Sequence, residues 1–266
     1  MKAIRSLAPL LASAVAAISL TSCFQSETTV HLNKDGSGTI VEETLLGAQS
    51  LTLISQTFPG IENGGDAAKD PIKELFSEAH SKKRAAEQLG LGVTFQKSEL
   101  IEQGGFKGAR VTYKFEDINQ IKVSDSTSIH NTSPGITEVK AVESIRFNYA
   151  DGKLSIKVPR ANIGRAREMP DLNSPEGQQM KQVFADMKMS LKLVVDSGIE
   201  ETTASNNDGN TITLMEMNFG KLIENAEGFK KLQSIDQKDP AAAMEALKGI
   251  NGVKVETKEE INVTVK

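Results

Sequence analysis

The sequence predicts an α+β fold in which antiparallel β-hairpins form a curved or partly barrel-like sheet covered by helices. Three observations lead there. Apolar and polar residues alternate on both sides of glycine-containing turns, the pattern of hairpins with one buried face. Two stretches, near 70–90 and 174–187, carry apolar residues at helical spacing after a capping residue. The C-terminal stretch has a polar residue at every even position from Lys254 to Lys266, as in an antiparallel strand that is wet on one face.

In chain order, Thr29–Asn33 and Thr39–Leu46 flank the turn Lys34-Asp35-Gly36-Ser37-Gly38 and form the first expected hairpin. Residues 59–70, with Pro59-Gly60 and Asn63-Gly64-Gly65-Asp66, read as a loop. Asp70 suits a helix N-cap and Pro71 its first position. Ile72, Leu75, Phe76, Ala79, Ala86 and Leu89 then share one helical face, and Gly90 ends the run. A second hairpin places Val93, Phe95 and Ile101 before Gly104-Gly105, and Val111, Tyr113 and Phe115 after it. A polar stretch from Val123 to Gly135 separates it from a third. There the two-residue turn Asp151-Gly152 pairs Tyr149 with Leu154, Phe147 with Ile156 and Ile145 with Val158, putting every apolar residue on one face. Residues 159–175 are irregular. Ser174 and Pro175 open a second helix with Met180, Val183, Phe184 and Met187 on one side. The period then falls to two at Met189, Leu191, Leu193 and Val195. A hairpin around Asn207-Asp208-Gly209-Asn210 returns through Ile212 and Leu214 to Phe219. Two short helices, the second between Asp239-Pro240 and Gly249, precede a final strand that runs from Val253 through Val255, Thr257, Ile261 and Val263 to Val265.

Ahead of these elements, Lys2 and Arg5 form a positive n-region, and Leu7–Leu20 an apolar h-region interrupted by Pro9. A bilayer span needs about 20 apolar residues, so the run of 14 suits a cleaved leader better than a permanent helix. It closes on Leu20-Thr21-Ser22-Cys23, a lipobox whose cysteine is the only one in the chain. The expected organisation is a lipoprotein signal peptide at 1–22, a lipidated Cys23 with a short tether at 23–28, and a single α+β domain at 29–266. Two or more acyl chains hold a protein stably to a membrane. The tether reaches about 20 Å at roughly 3.5 Å per residue, which keeps the domain near the bilayer. Phe24, in place of an acidic residue, follows the cysteine, so a lipid-anchored envelope location follows, with the outer membrane favoured in a Gram-negative cell.

Loss of Lys2 and Arg5 with the leader takes the net charge from −4 to −6, which argues against nucleic-acid partners. With Cys23 acylated, no thiol remains for disulfides. No tryptophan and two tyrosines leave little for an aromatic sugar platform.

Catalytic signals are absent. Asn33-Lys34-Asp35-Gly36-Ser37-Gly38-Thr39-Ile40 matches the opening of a calcium-binding EF-hand loop, but its twelfth position is Thr44 and its flanks alternate as strands. It reads as a hairpin turn. His31, His80 and His130 have no second ligand at metal spacing, so no metal and no cofactor are expected. No GxSxG, SxxK, HExxH or Walker pattern occurs. Acidic neighbours such as Glu42-Glu43 point to opposite faces of a strand. Lys82-Lys83-Arg84 reads as a solvated helix face. Arg160, Arg165 and Arg167, in the loop bounded by prolines, are the candidate contacts to a ligand or a lipid headgroup. Met180, Met187, Met189, Met215 and Met217 suit core filling first and an adaptable binding surface second.

The lipobox followed closely by Val30-His31-Leu32-Asn33-Lys34-Asp35-Gly36-Ser37-Gly38-Thr39-Ile40, with the later strand–turn–strand from Leu191 to Phe219, resembles the LppM-like bacterial lipoproteins. The resemblance covers about Cys23 to Gly220. It implies an α+β, partly barrel-like domain with a link to lipid or glycolipid binding, and carries over no binding residue. The sequence therefore points away from an enzyme. It points to a membrane-anchored, exported, non-catalytic binding or envelope-interaction module, with a lipid, an amphiphile or an envelope protein as ligand. A structural subunit of an envelope complex and a lipoprotein hydrolase with a dispersed site stand beside it.

Overall fold

The computed structural model describes residues 24–48, 50–52, 70–123, 144–159, 174–225, 227–228 and 245–266. The leader, Cys23, His130, Arg160, Arg165, Arg167 and the helix start at Asp239-Pro240 lie outside the described residues, as does nearly all of the 59–70 loop.

The described strands form two sheets. In the larger, β1 (Phe24–Leu32) and β2 (Gly38–Leu46) make the first hairpin, with Val30 opposite Ile40. β2 pairs with β4 (Phe106–Phe115), and β4 with the edge strand β3 (Thr94–Gln103). On the other flank of β1 lie β7 (Lys188–Val195), β10 (Thr211–Asn218) and β11 (Val253–Val255), with the two-residue β9 (Asn207–Asp208) on β10. The smaller sheet runs in the order β5 (Arg146–Ala150), β6 (Lys153–Lys157), β12 (Glu260–Val265), β8 (Ile199–Thr202). Helices among the described residues include α1 (Pro71–Leu75), α2 (Glu78–Gln88), α3 (Pro175–Phe184) and α4 (Phe219–Glu224). The strand-rich α+β class stands. The larger sheet is not closed into a barrel, since β3 and β11 end it without pairing to each other, and the partly barrel-like form is not confirmed.

The local turn chemistry holds. Asp151 and Gly152 both take positive φ, 49° and 75°, the backbone of a two-residue hairpin loop whose twist matches its strands. Phe147 faces Ile156 and Tyr149 faces Leu154 as expected. Ile145 differs: it bridges Val123, and the Val158 amide donates to the Glu259 carbonyl.

Five expectations are corrected. Phe24–Thr28 form no tether, because they pair with Glu42–Leu46 on one side and, from Gln25, with β7 on the other. Their polar side chains alternate across the sheet, and Phe24 is buried. The β1–β7 pair is parallel, in an otherwise antiparallel set. The helix expected over 71–89 is two helices, since Ser77 breaks it by accepting the His80 amide and capping α2. The expected final strand is two strands in different sheets: β11 pairs with β10, and β12 with β6 and β8. The return from β7 to β10 likewise detours through β8 in the smaller sheet.

The apolar faces of the two sheets meet in one core. Val30, Ile40, Tyr113 and Leu193 come from the larger sheet, and Ile156 and Ile261 from the smaller. Each fully buried Leu or Ile contributes about 1.5–3 kcal/mol. A second cluster, with Leu222, Ile250 and Val253, lies by α4, where Phe184 and Phe219 stack at 5.7 Å. α2 docks through Ala85, Leu89 and an ion pair. Arg84 donates to both oxygens of Glu42, from Nε at 2.8 Å and Nη2 at 2.6 Å. Arg84 is thus no part of a solvated basic face. Burial works against the Arg84 charge, but hydrogen bonding to Glu42 holds its pKa above the usual value. Burial, and then the Glu42 charge, push the neighbouring Tyr113 phenol well above its usual range.

Two of the chain's passages between the sheets, β8 to β9 and β11 to β12, meet at Glu256, which is 1 % exposed. Its carboxylate accepts from the Ser205 amide (2.7 Å) and hydroxyl (2.8 Å) in one passage, and from the Thr257 and Lys258 amides (both 2.9 Å) in the other. The Glu256 amide donates to the Leu214 carbonyl, and Asn206 Nδ2 to the Val255 carbonyl. Backbone amides can only donate, so this position requires a double acceptor. Glu256→Gln turns one oxygen into a donor facing an amide and is expected to cost about 1–3 kcal/mol, which lowers Tm by about 2–4 °C per kcal/mol. Glu256→Ala is expected to cost more. Thermal unfolding of both variants checks the order.

Candidate functional site

Because strand side chains alternate, the core-facing choice of Val30, Leu32 and Ile40 turns Gln25, Glu27, Thr29 and His31 outward, with Thr39, Val41 and Glu43 beside them. The parallel register sets Glu27 beside Ser190, and the hairpin register sets it beside Glu43. The result is an open hollow of about 310 Å³ on the outer face of the larger sheet, with Glu27, Glu43, Ser190, Lys192 and Glu216 in its wall.

Glu27 organises this hollow. It accepts from Lys192 Nζ at 2.7 Å and Ser190 Oγ at 3.0 Å. Partial burial pushes its pKa up, but Lys192, with Ser190 and Thr29, outweighs that and holds it below the usual value. Glu43 is held by Arg110 Nε at 2.5 Å, and Glu216 lies 3.5 Å from Lys254. Two carboxylates directly opposite each other across strands repel, and here each has its own cation. The face is charge-balanced and polar.

Towards the far end of β1, His31 Nδ1 lies 3.1 Å from Asp196 Oδ1. Among the described residues no serine, threonine or cysteine hydroxyl or thiol bonds to His31, so the pair is not extended into a nucleophilic triad. Ser77 Oγ and His80 Nδ1 are 2.9 Å apart, but His80 Nδ1 also meets the Glu74 carbonyl, and the group closes the α1–α2 junction. Among the described residues no three His, Cys, Asp or Glu side chains gather as a metal set. The glycine-rich turn that imitates a calcium loop is closed on itself: Asp35 accepts from the Ser37 amide and hydroxyl at 3.0 and 2.7 Å. Ser37 hydrogen bonding depresses the Asp35 pKa. The Tyr149 hydroxyl donates to the Lys34 carbonyl at 2.5 Å.

A second hollow of about 540 Å³ lies along β5, β6 and β12, with Asn148, Ser155 and Asn262 in its wall. Of the sequence candidates, Cys23, Arg160, Arg165 and Arg167 lie outside the described residues. Of the methionines, Met215 packs against the main core and Met217 against the second, while Met189 and Met217 also border the first hollow. Sequence reasoning missed Glu27 with Lys192. Their separation of 165 residues closes only through the parallel pairing.

No described helix is long and apolar enough to cross a membrane. Neither a scan against protein-family models nor a search of curated proteins finds a match. Among solved structures, the NMR structure of the folded domain of Mycobacterium tuberculosis LppM matches 75 % of this chain and 85 % of its own, at 10 % identity and a TM-score of 0.30. That is a weak structural resemblance.

The Glu27–Lys192 pair has a pH signature. A carboxyl whose pKa is lowered by folding adds stability above its unfolded pKa, near 4.5, and loses it as pH falls through the folded value. With Glu27 45 % exposed, screening keeps the contribution below about 1 kcal/mol. Glu27→Gln is expected to lower Tm by about 1–3 °C at neutral pH, and the difference should close in acid below pH 4.5. A pH series of melting curves for both proteins checks it.

Proposed function

We propose that the chain is an exported lipoprotein of a bacterial envelope, anchored through acylated Cys23, whose folded part works by contact and not by catalysis. The observation that carries the reading is the adjacency of the lipobox cysteine to a buried residue of the sheet. The lipobox ends at Cys23, and the next residue, Phe24, is already buried in the central strand of the larger sheet.

The contact surfaces are the outer faces and ends of the sheets. The apolar faces of both sheets are spent on each other, so an amphiphile held within the fold has less support than a partner met at the surface, either lipid headgroups or an envelope protein. For the dispersed-hydrolase alternative the described residues offer one serine–histidine contact, Ser77–His80, and that pair is committed to a helix junction.

The test is detergent phase partitioning of the chain expressed with its leader in a bacterial host, together with the mass of its N-terminal peptide. Wild type is expected in the detergent phase with diacylglyceryl and acyl mass on Cys23. Cys23→Ala is expected unprocessed and without that mass. Aqueous partitioning of a wild type without acyl mass contradicts the reading.

A further inference from the structure

We infer that the end of the larger sheet at which β1 begins is a membrane seat that lies on the headgroup layer, with the strands leading away from it. The inference rests on acylation of Cys23 and adds which surface meets the bilayer.

The argument is one of reach. Consecutive Cα atoms are about 3.8 Å apart, and Phe24 has no freedom to extend that reach. It is 6 % exposed and opposite Leu46, and the next residue, Gln25, lies between Leu45 and Lys188. With five flexible residues the domain would tumble about its anchor, whereas with none the acyl chains must enter the bilayer beside the first rung of the sheet. Residues on that rung are then held near the lipid. Lys188 is one strand away, roughly 5 Å, and Lys107, opposite Leu46, is two strands away, roughly 10 Å. At the opposite end, the turn around Lys34 lies beyond Leu32, about 27 Å along β1.

The chemistry of this end suits a headgroup layer. Exposed Lys107, Lys188 and Lys221 alternate there with Glu102, Asp186 and Glu224, and half-buried Phe106, Met187 and Phe219 stand among them. Cations and carboxylates balance, so the seat fits zwitterionic lipid and does not depend on anionic lipid. Phe106 and Phe219 offer apolar surface of the kind that beds into the headgroup–acyl boundary.

The experiment exploits the single cysteine of the chain. Once Cys23 is a thioether, a cysteine introduced by Lys107→Cys, Lys188→Cys or Lys34→Cys is the only free thiol. All three positions are exposed, and none has a side-chain hydrogen bond or ion pair described above. The full lipidated chain, labelled at one position with a small fluorophore, is reconstituted in phosphatidylcholine vesicles with or without a nitroxide on the headgroup. The expected result is loss of emission at 107 and 188, none at 34, and no change of pattern when phosphatidylglycerol is included. Equal quenching at all three positions, or quenching at 34 alone, overturns the seat while leaving the lipoprotein reading intact. A chain that fails to float with vesicles overturns both.

Discussion

The two sheets are tied at one buried carboxylate. A carboxyl removed from water costs several kcal/mol unless its oxygens find donors, and Glu256 finds four, two from each of two passages of the chain between the sheets. The chain leaves β8 for β9 and β10 on one side of this group, and leaves β11 for β12 on the other. Met217 opposite Val253 registers the larger sheet at the crossing, and Val263 opposite Leu154 registers the smaller. Satisfying Glu256 therefore aligns the two apolar faces that make the common core. The Arg84–Glu42 pair does the same for α2, whose apolar contacts alone leave its rotation on the sheet less defined.

This arrangement limits what the protein can offer a partner. The faces that a lipid-binding half-barrel would turn inward are closed against each other, and the outward faces are polar. Around Glu27 they are charge-balanced, with Lys192, Arg110 and Lys254 each set against a carboxylate. Such a face stays hydrated and soluble while presenting a defined pattern of hydrogen-bonding groups. β1 joins the two roles. It is flanked on both sides by strands, contributes Val30 and Leu32 to the core, and follows directly on the cysteine proposed as the anchor.

The sequence was most legible where structure is local. The turn at Asp151-Gly152 and the alternation around it gave two of three side-chain pairs, because register follows from turn length. The N-caps Asp70 and Ser174 were readable as residue types with a defined job, and both accept the expected amide. What could not be read was non-local. Alternation says which residues share a face but not whether the neighbouring strand runs parallel, so β1–β7 was hidden. Glu256 occupies an even, polar-looking position in Val253–Val265, so the period of two runs unbroken through a change of sheet. Gln25, Ser26 and Glu27 look like linker because their burial depends on strands more than 150 residues away in sequence. For the same reason no motif marked the Glu27–Lys192 hollow. Cys23 was legible as a chemical signal and stands outside the described fold.

The account depends on the two sheets behaving as one unit through Glu256, and native-state hydrogen exchange tests that most directly. In wild type the amides of Ser205, Thr257 and Lys258 should exchange only with the opening that also releases Leu193 in the larger sheet and Val263 in the smaller. In Glu256→Gln, protection should fall together at Leu193 and Val263. If only the amides at the crossing lose protection while both strands keep theirs, the carboxylate is a local fastening and the central claim is wrong.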